Sequence, residues 1–395
     1  MEHYNPIFSK VPTLRFAEFS DLWEQKQFDE VLFILANNTL SRAELNYDNG
    51  DYKDIHYGDV LIKYPAYIDV SSSDVPYINA ENSSAKLNDA LLQNGDVVIA
   101  DTAEDFTVGK ATEIENANAI KVVAGLHTIP CRPKIRFSPK YLGYYINSPA
   151  YHDQLVPFIQ GVKVSSISKT HIRKTFLSFS SLLEQEKIAN FLSCLDEKIQ
   201  VQNKIISKYE TLIKGLCDMI FSSIEGNILP LKALASIEKG QQINGMSLAK
   251  TGKYYYLNGG IAPSGYIDDY NTSEETISIS EGGNSCGFVS YNLQKFWSGG
   301  HCYTLKIMAE QCRSKYLFFY LKYKEKDIMQ LRVGSGLPNI QKKSLENFNV
   351  KLPNYKKQCF VERVFEVVTA KKEIENALLE RFQSQKKFLL SKMFI

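Results

Sequence analysis

Basic and short polar side chains follow Gly161 and flank Gly334, two glycines that lie 173 residues apart. Lysine and arginine neutralise phosphates, while hydroxyl and amide side chains can bond either phosphates or base edges. We therefore predict a nucleic-acid contact beside each glycine. The candidate residues are Lys163, Ser165, Ser166 and Lys169 in the first set, and Arg332, Ser335, Asn339 and Lys342 in the second.

The charge of the chain is distributed unevenly. Lys+Arg is 46 and Asp+Glu is 44, which excludes a globally basic nucleic-acid binder but allows a locally basic one. Residues 132–174 hold eight basic residues and one acid, and residues 306–343 hold nine basic residues and three acids. A solvated charged face is the alternative, but two such stretches in register favour a repeated binding surface. Arg132 and Lys134 join the candidates for this reason.

Two histidines recur in matching contexts, in Gly125-Leu-His127 and Gly299-Gly-His301. A lone histidine after glycine is usually structural, but recurrence indicates a repeated task, either packing or hydrogen bonding. We add His127 and His301 to the candidate nucleic-acid contacts, with Asn284 and Ser285 from a glycine-rich stretch. No serine, cysteine or carboxylate recurs with the histidines in the sequence, so we expect no catalytic residues.

The seven cysteines are odd in number and include no Cys-x-x-Cys pair, so we expect no metal site. The first residues show neither a basic segment nor an apolar segment of a leader peptide. No apolar run approaches the roughly 18 residues that a membrane span needs. These features predict a protein of the reduced cytoplasmic compartment, with ordinary core cysteines and no membrane contact.

The paired features belong to an internal duplication. Residues 140–146 match residues 315–321, and the glycine and histidine pairs recur at nearly the same offset, 173 to 175 residues. This period is too long for a solenoid repeat and indicates a duplicated domain. Strands are predicted at 96–100, 119–123, 276–280 and 303–307, and helices at 139–147 and 314–323. The mixture is typical of an α+β protein rather than an alternating parallel sheet.

A long helix is predicted to follow each copy of the domain. Residues 181–221 carry apolar residues in alternating steps of four and three over more than four heptads, the pattern of a coiled coil. The same seam is weaker over 354–395, where Lys372, Glu375 and Lys386 occupy seam positions. We expect the two helices to pair antiparallel within the chain; alternatively each packs on its own domain. Six seam residues are predicted to bind a partner: Ile188, Leu192, Leu195, Ile199, Ile206 and Ile213.

The predicted architecture is therefore α+β, with two repeated α/β domains and two long helices that form an antiparallel intramolecular coiled coil. The predicted division is an N-terminal segment at 1–27, a first domain at 28–180, a central helix at 181–228, a second domain at 229–353 and a C-terminal helix at 354–395.

The start of the central helix carries a family resemblance. Leu182-Leu-Glu-Gln-Glu-Lys-Ile-Ala-Asn-Phe-Leu-Ser-Cys-Leu-Asp-Glu-Lys-Ile199 resembles the helix start of type I restriction–modification specificity subunits. Leu14-Arg-Phe-Ala-Glu-Phe19 and the glycine–isoleucine pairs Gly161/Ile167 and Gly334/Ile340 are similar to other segments of that family. The second helix start, at 353–361, keeps Gln358 but departs from the rest of the motif, which bears on how the second repeat engages its partner.

The resemblance implies a non-catalytic subunit that gives a restriction–modification complex its DNA specificity. Each domain would read one half of a bipartite, asymmetric site in double-stranded DNA, with the helices as a ruler between them. Two adenine methyltransferase subunits and two motor-nuclease subunits would be partners, and S-adenosylmethionine, ATP and magnesium would bind those partners. The competing interpretations are a coiled-coil scaffold that binds protein, and an enzyme.

Overall fold

The computed structural model describes residues 11–72, 74–83, 85–161, 163–244, 248–334 and 336–395. The chain forms two units. The first holds the described residues up to Gln202 together with Leu378–Ile395, and the second holds Asn203–Ala377. Each unit therefore contains part of the central long helix and part of the C-terminal long helix.

The described residues of the first unit form thirteen short strands and five short α-helices, followed by the central helix. The strands are β1 (Glu24–Gln27), β2 (Leu32–Ile34), β3 (Leu45–Asn46), β4 (Lys53–Ile55), β5 (Tyr67–Asp69), β6 (Tyr77–Ile78), β7 (Val97–Ala100), β8 (Thr102–Ala103), β9 (Ala111–Glu115), β10 (Val122–Ala124), β11 (Thr128–Pro133), β12 (Ser165–Ser166) and β13 (Phe176–Phe179). The helices are α1 (Phe28–Val31), α2 (Tyr57–Ile62), α3 (Tyr141–Ile146), α4 (Pro149–Leu155), α5 (Lys169–Ile172) and the long α6 (Leu182–Ser223).

Two sheets form the frame of the first unit, in the orders β2-β11-β7-β9-β5 and β10-β4-β6-β3. The central strand β7 is Val-Val-Ile-Ala, buried on both faces, which is why it reads as a continuous apolar run. The predicted strand at 119–123 is shorter than expected, Val122–Ala124, because residues 117–119 form a 3₁₀ turn.

The second unit repeats this plan with fewer elements. Its strands are β14 (Asn227–Pro230), β15 (Ala235–Lys239), β16 (Tyr254–Leu257), β17 (Gly265–Ile267), β18 (Thr276–Ser280), β19 (Val289–Asn292), β20 (Phe296–Ser298), β21 (Cys302–Ile307), β22 (Arg332–Val333), β23 (Asn339–Ile340) and β24 (Asn349–Leu352). Its helices are α7 (Ser314–Tyr323), α8 (Glu325–Met329), α9 (Lys342–Glu346) and the long α10 (Tyr355–Lys392). The sheets have the orders β15-β21-β18-β19 and β17-β16-β20.

The duplication is visible strand by strand. In both units the strand that follows the Gly-x-His segment, β11 or β21, pairs antiparallel on both sides, with β2 and β7 or with β15 and β18. In both units a parallel pair, β10 with β4 or β20 with β16, ends immediately before that segment. The predicted α+β class and the two-copy layout are confirmed.

Antiparallel pairing of the two long helices is confirmed, and it explains the two lysines in the weaker seam. In the first unit Lys386 of α10 forms an ion pair with Asp196 of α6, at 2.5 Å. In the second unit Lys372 forms an ion pair with Glu210, at 2.8 Å, and the seam residues Val361 and Phe365 are buried. The lysines that interrupt the apolar pattern thus have carboxylate partners on the opposite helix.

Each long helix ends by placing a phenylalanine against a pair of tyrosines. Phe394, just after α10, packs edge-on against Tyr141 and Tyr145 of the first unit, with ring centroids 5.7 and 5.8 Å apart. Phe221, near the end of α6, packs against Tyr320 of the second unit at 5.6 Å. These phenylalanines are 4% and 2% exposed, so each unit has a core that includes the end of a long helix.

A buried glutamine occupies the same position at the start of both long helices. Gln185 accepts the Ser138 backbone N–H at 3.0 Å, and its amide donates to the carbonyl of Ser180. Gln358 accepts the Arg313 backbone N–H at 2.9 Å, and its amide donates to the carbonyl of Pro353. The one residue of the helix motif that the second copy keeps therefore makes the same backbone bonds in both units, which satisfies groups that burial would otherwise leave unpaired.

Candidate nucleic-acid interface

In the first unit, three separate segments meet at the end of the central strand β7. Asp101, the residue after β7, donates its backbone N–H to the carbonyl of His127 at 3.0 Å. Its carbonyl accepts the backbone N–H of Ile167 at 2.8 Å. Next to it, β8 pairs antiparallel with β12, which carries Ser165 and Ser166. These backbone bonds bring His127 and the two predicted serines to one edge of the sheet.

A carboxylate holds the histidine at this edge. Nδ1 of His127 lies 3.4 Å from Oδ1 of Asp101 and 3.3 Å from Oγ1 of Thr102. The histidine backbone has a φ of 55°, in the left-handed region, and its side chain is about half exposed. Contacts at Nδ1 therefore orient the ring while about half of the side chain stays exposed, an arrangement suited to a hydrogen bond between Nε2 and a ligand.

The second unit repeats these bonds with other residues. Glu281, which follows β18, donates its backbone N–H to the carbonyl of His301 at 2.9 Å and accepts the N–H of Ile340 at 2.8 Å. Its carboxylate lies 3.2 Å from Nδ1 of His301 and 2.5 Å from Nζ of Lys239. The carboxylate is largely buried and the histidine is exposed. The same carboxylate–histidine arrangement is thus present in both copies of the domain.

The expectation that no carboxylate recurs with the two histidines was wrong. Asp101 precedes His127 by 26 residues, whereas Glu281 precedes His301 by 20, so a search at constant offset misses the pair. The available signal was positional, since each acid directly follows one of the predicted strands at 96–100 and 276–280. The hydroxyl beside the first pair does not recur, because Thr102 of the first unit is matched by Gly282 in the second.

The described residues around the two glycines have matching geometry. Gly161 and Gly334 have φ values of 113° and 98°, which favour glycine. Antiparallel pairs close the loops at equivalent positions, Gln160 with Ser166 and Val333 with Asn339. The isoleucine that follows each loop, Ile167 or Ile340, is buried and anchors it to the core. The loops are therefore fixed at both ends.

A short helix that begins with a lysine follows each loop. Lys169 opens α5 and Lys342 opens α9, and both side chains are exposed. Nζ of Lys169 donates to Oδ1 of Asn37 at 3.2 Å, while Nζ of Lys342 lies 3.8 Å from a carboxylate oxygen of Glu346. Lys163 and Arg332 are also exposed. Four of the predicted basic residues thus lie at or beside the two loops, with charge accessible to phosphates.

Two other basic candidates lie elsewhere. Strand β11 begins next to His127, and Arg132 and Lys134 lie at or beyond its other end. The guanidinium of Arg132 binds the buried Asp96 carboxylate, with its closest contact at 2.6 Å, and Nζ of Lys134 donates to the carbonyl of Asp29. The structure therefore does not bring these two residues together with the loop residues, and their contact with a nucleic acid stays a prediction.

The remaining candidates of the second unit differ in accessibility. Asn284 is exposed, whereas the hydroxyl of Ser285 donates to the carbonyl of Gly259 at 3.0 Å. Asn339 is exposed on β23 and bridges to Gly282, which places it beside the Glu281–His301 pair. Ser335 lies outside the described residues.

The six seam residues predicted to bind a partner face the chain itself. Ile188, Leu192 and Leu195 are buried in the core of the first unit, and Ile199 packs against that core. In the second unit, Ile206 is half-buried and Ile213 packs against the core. Their binding of another subunit stays a prediction.

A buried acid supports the histidine turn of the first unit. Asp54 is fully buried, which raises the pKa of its carboxyl to about 7. Oδ2 of Asp54 accepts from Asn38 at 2.6 Å, while a Cβ at Gly125 would lie 2.2 Å from Oδ1. A Cβ at Gly299 of the second unit would likewise lie 2.5 Å from Oδ1 of Asn258, which accepts the His301 N–H. Both Gly-x-His turns thus require glycine because a polar side chain packs beneath them.

Comparison with known sequences decides the family. The family model described as the type I restriction modification DNA specificity domain matches the chain twice, over residues 20–211 and residues 227–383. The chain belongs to this family. Each match contains one carboxylate–histidine pair and one glycine loop, so the duplication in the sequence is a duplication of the specificity domain. The resemblance carried by the helix motif at 182–199 is confirmed: the chain is a type I specificity subunit.

Individual relatives agree with this assignment. A curated relative from Mycoplasma pneumoniae, named a type I specificity subunit, is 34% identical over 31% of this chain and 32% of its own length. One from Mycoplasma genitalium with the same description is 30% identical over 32% of this chain and 33% of its own length. The chain thus matches about a third of the length of these curated relatives.

Solved structures share the fold. A type I restriction–modification S subunit from M. genitalium superposes with a TM-score of 0.65 at 17% identity, covering 98% of this chain and 99% of that one. A chain from a study of type I complex assembly gives a TM-score of 0.56 at 14% identity, covering 93% of this chain and 96% of that one.

Two further properties concern the described residues as a whole. No helix within them combines the length and the apolar composition needed to cross a membrane. Nor do three or more His, Cys, Asp or Glu side chains converge there in a way that could hold a metal ion.

Proposed function

We propose that this specificity subunit reads a bipartite, asymmetric site in double-stranded DNA, one half-site with each unit. The observation that carries the proposal is the repeated edge of the sheet. Backbone bonds place a carboxylate–histidine pair, a glycine loop and a lysine-led helix together in both units. Histidine and carboxylate side chains can bond base edges, while the lysines supply the charge that phosphate contacts need.

Asymmetry of the site follows from side chains that differ on an equivalent backbone. Ser165 and Ser166 of the first loop are matched by Pro338 and Asn339 of the second, and Lys163 is matched by Gly336. Equivalent loops that present different donors and acceptors favour different base pairs. The two half-sites should therefore differ in sequence.

The long helices are proposed to set the spacing of the half-sites. The central helix has 42 residues, which corresponds to about 60 Å at 1.5 Å per residue. This length is between one and two turns of B-DNA, at about 34 Å per turn. The predicted division at 1–27, 28–180, 181–228, 229–353 and 354–395 belongs to the same proposal, and its first ten residues lie outside the described part of the chain.

Outward faces of the helices are proposed to dock two methyltransferase subunits. On the α10 segment of the second unit, Phe360, Val367 and Ile374 recur at heptad spacing and are 62%, 52% and 67% exposed. An exposed apolar stripe on a helix that already has its own partner is typical of a further helix-binding surface. Two motor-nuclease subunits complete the proposed complex. The catalytic chemistry, with S-adenosylmethionine, ATP and magnesium, belongs to those partners in a cytoplasmic assembly.

The decisive experiment is the adenine methylome of a methylation-free host that expresses this chain with a type I methyltransferase subunit from the same source. We expect methyladenine in a split, asymmetric motif with a fixed gap. Exchange of residues 28–180 for those of another specificity subunit should change one half of the motif only. A stable complex that methylates no motif would favour a protein-binding scaffold, and a palindromic motif would contradict asymmetric reading.

A further inference from the structure

Both glycine loops expose an aliphatic side chain at the same position. Val164 follows Gly161 by three residues, and Leu337 follows Gly334 by three. Their exposed fractions are 51% and 86%, so Leu337 is almost fully accessible to solvent. From each glycine to its buried isoleucine anchor, the other residues are polar, glycine or proline, with the exception of Val162 in the first loop. An exposed apolar residue that recurs at one position in both copies requires an explanation.

The loop backbone fixes these side chains in place. In the first unit the Gln160 and Ser166 backbones exchange hydrogen bonds at 3.0 and 2.8 Å, and a Cβ at Gly161 would lie 1.8 Å from the carbonyl oxygen of Val164. In the second unit Gly283 donates its N–H to the carbonyl of Pro338 at 3.0 Å, directly beside Leu337. Backbone contacts beside Val164 and beside Leu337 therefore help to position the two exposed side chains.

The charge around the loops indicates a polyanionic partner. Lys163 and Lys169 flank Val164 in sequence, and Arg332 and Lys342 flank Leu337. An apolar residue amid basic ones fits a duplex better than an apolar protein surface, because phosphates neutralise the lysines while the apolar group reaches the groove. A two-stranded β-ribbon such as β22–β23 fits the major groove, where the 5-methyl group of thymine is the apolar feature of the base edges.

We propose that Leu337 and Val164 are specificity-determining residues, each contacting the 5-methyl group of a thymine in the half-site that its own unit reads. This inference rests on the proposed function, because it assigns part of the recognition of each half-site to one aliphatic side chain. It adds an apolar contact to the polar contacts expected from Asn339 and the carboxylate–histidine pair.

The test uses the full chain bound to its methyltransferase subunit and a duplex that carries the motif found in the methylome. Each thymine is replaced in turn by deoxyuridine, which keeps its base pairing and lacks only the methyl group. One replacement in the half-site of the second unit should weaken binding about fourfold, the effect of exposing one methyl group. The Leu337→Ala variant should bind the unmodified duplex at least that much more weakly and should not respond to this replacement.

Val164→Ala should remove the response to deoxyuridine in the other half-site only. Leu293→Ala is the matched control, since Leu293 is 67% exposed but follows β19 at the end of the sheet opposite Glu281. This variant should retain the affinity and every thymine response of the unaltered chain.

Three results would overturn the inference. Leu337→Ala could keep the full thymine response, or the half-site of the second unit could contain no thymine on either strand. Leu337→Ala could also bind DNA normally but assemble poorly with the methyltransferase, which would make the loop a protein contact. Absence of sequence-specific binding by the unaltered complex would contradict the proposed function itself. This outcome differs from a failure of the present inference because it is seen without any variant.

Discussion

Nδ1 of His301 lies 3.2 Å from the carboxylate of Glu281, and the equivalent pair of the first unit, His127 and Asp101, lies 3.4 Å apart. Each carboxylate directly follows a strand that pairs with the strand after the histidine, so the backbone register sets the spacing of the carboxylate and the ring. Because the carboxylate holds each histidine ring at Nδ1, the ring has a fixed orientation, which suits a residue that contacts a ligand.

Glu281→Gln should therefore alter the reading of one half-site and leave the other unchanged. The amide keeps the shape of the side chain but loses its charge-assisted bonds to Lys239 and His301. Discrimination at one or two positions of the half-site should fall by roughly ten- to a hundredfold, the range for loss of a base-edge contact. The methylome measures this, and Asp101→Asn should produce the converse pattern. A change in both halves from one substitution would contradict independent reading.

Lys342→Ala should weaken binding to all DNA sequences alike if its ammonium meets a phosphate. The plot of log affinity against log salt concentration should then lose about one unit of slope. If the lysine meets a base instead, one position of the motif should relax. Lys253→Ala serves as the control, because Lys253 is exposed at the end of β16 away from His301. Equal effects of the two substitutions would mean that Lys342 acts only through net charge.

Phe394→Ala should destabilise the first unit and Phe221→Ala the second. Each phenylalanine is almost fully buried against a tyrosine pair, so its removal should cost about 3–5 kcal/mol of unfolding free energy. Hydrogen exchange resolved by peptide should show faster exchange at Tyr141 and Tyr145 in the first variant, and at Tyr316 and Tyr320 in the second. Uniform loss of protection over the whole chain would show that the units unfold as one.

Asp54→Asn should stabilise the protein above neutral pH. Burial raises the pKa of Asp54 from an ordinary value of 3.8 to about 7, so between these values the folded chain holds a proton that the unfolded chain releases. The unfolding free energy of the natural chain therefore falls as pH rises through this window, at about 1.4 kcal/mol per pH unit, and the full penalty persists above pH 7.

The variant has no carboxyl group that titrates at this position. Its gain in unfolding free energy over the natural chain should therefore grow as pH rises through the same range. Urea unfolding from pH 4 to pH 8 measures the difference, which should be small at pH 4 and largest at pH 8. A constant difference across this range would show that the Asp54 carboxyl does not titrate there.

Features that depend on local pattern could be predicted from the sequence. Apolar residues in alternating steps of four and three predicted both long helices to within a few residues, and the glycine–isoleucine spacing located both loops. Features that depend on which strands or helices are neighbours could not be predicted from the sequence. Arg132 forms an ion pair with Asp96 across the β11–β7 pair, and Lys386 forms one with Asp196 across the helix pair. The sequence alone does not reveal these ion pairs, because each depends on the register of the neighbouring elements.

The division of the chain has a consequence for how the protein is made. The second unit is continuous, whereas the first requires residues 378–395, which the ribosome delivers only after the whole second unit. Until then Trp23, Tyr141 and Tyr145 lack the ring of Phe394 that covers them in the finished protein. The part synthesised first is thus completed last, and for much of translation the nascent chain exposes an aromatic surface prone to aggregation or chaperone capture.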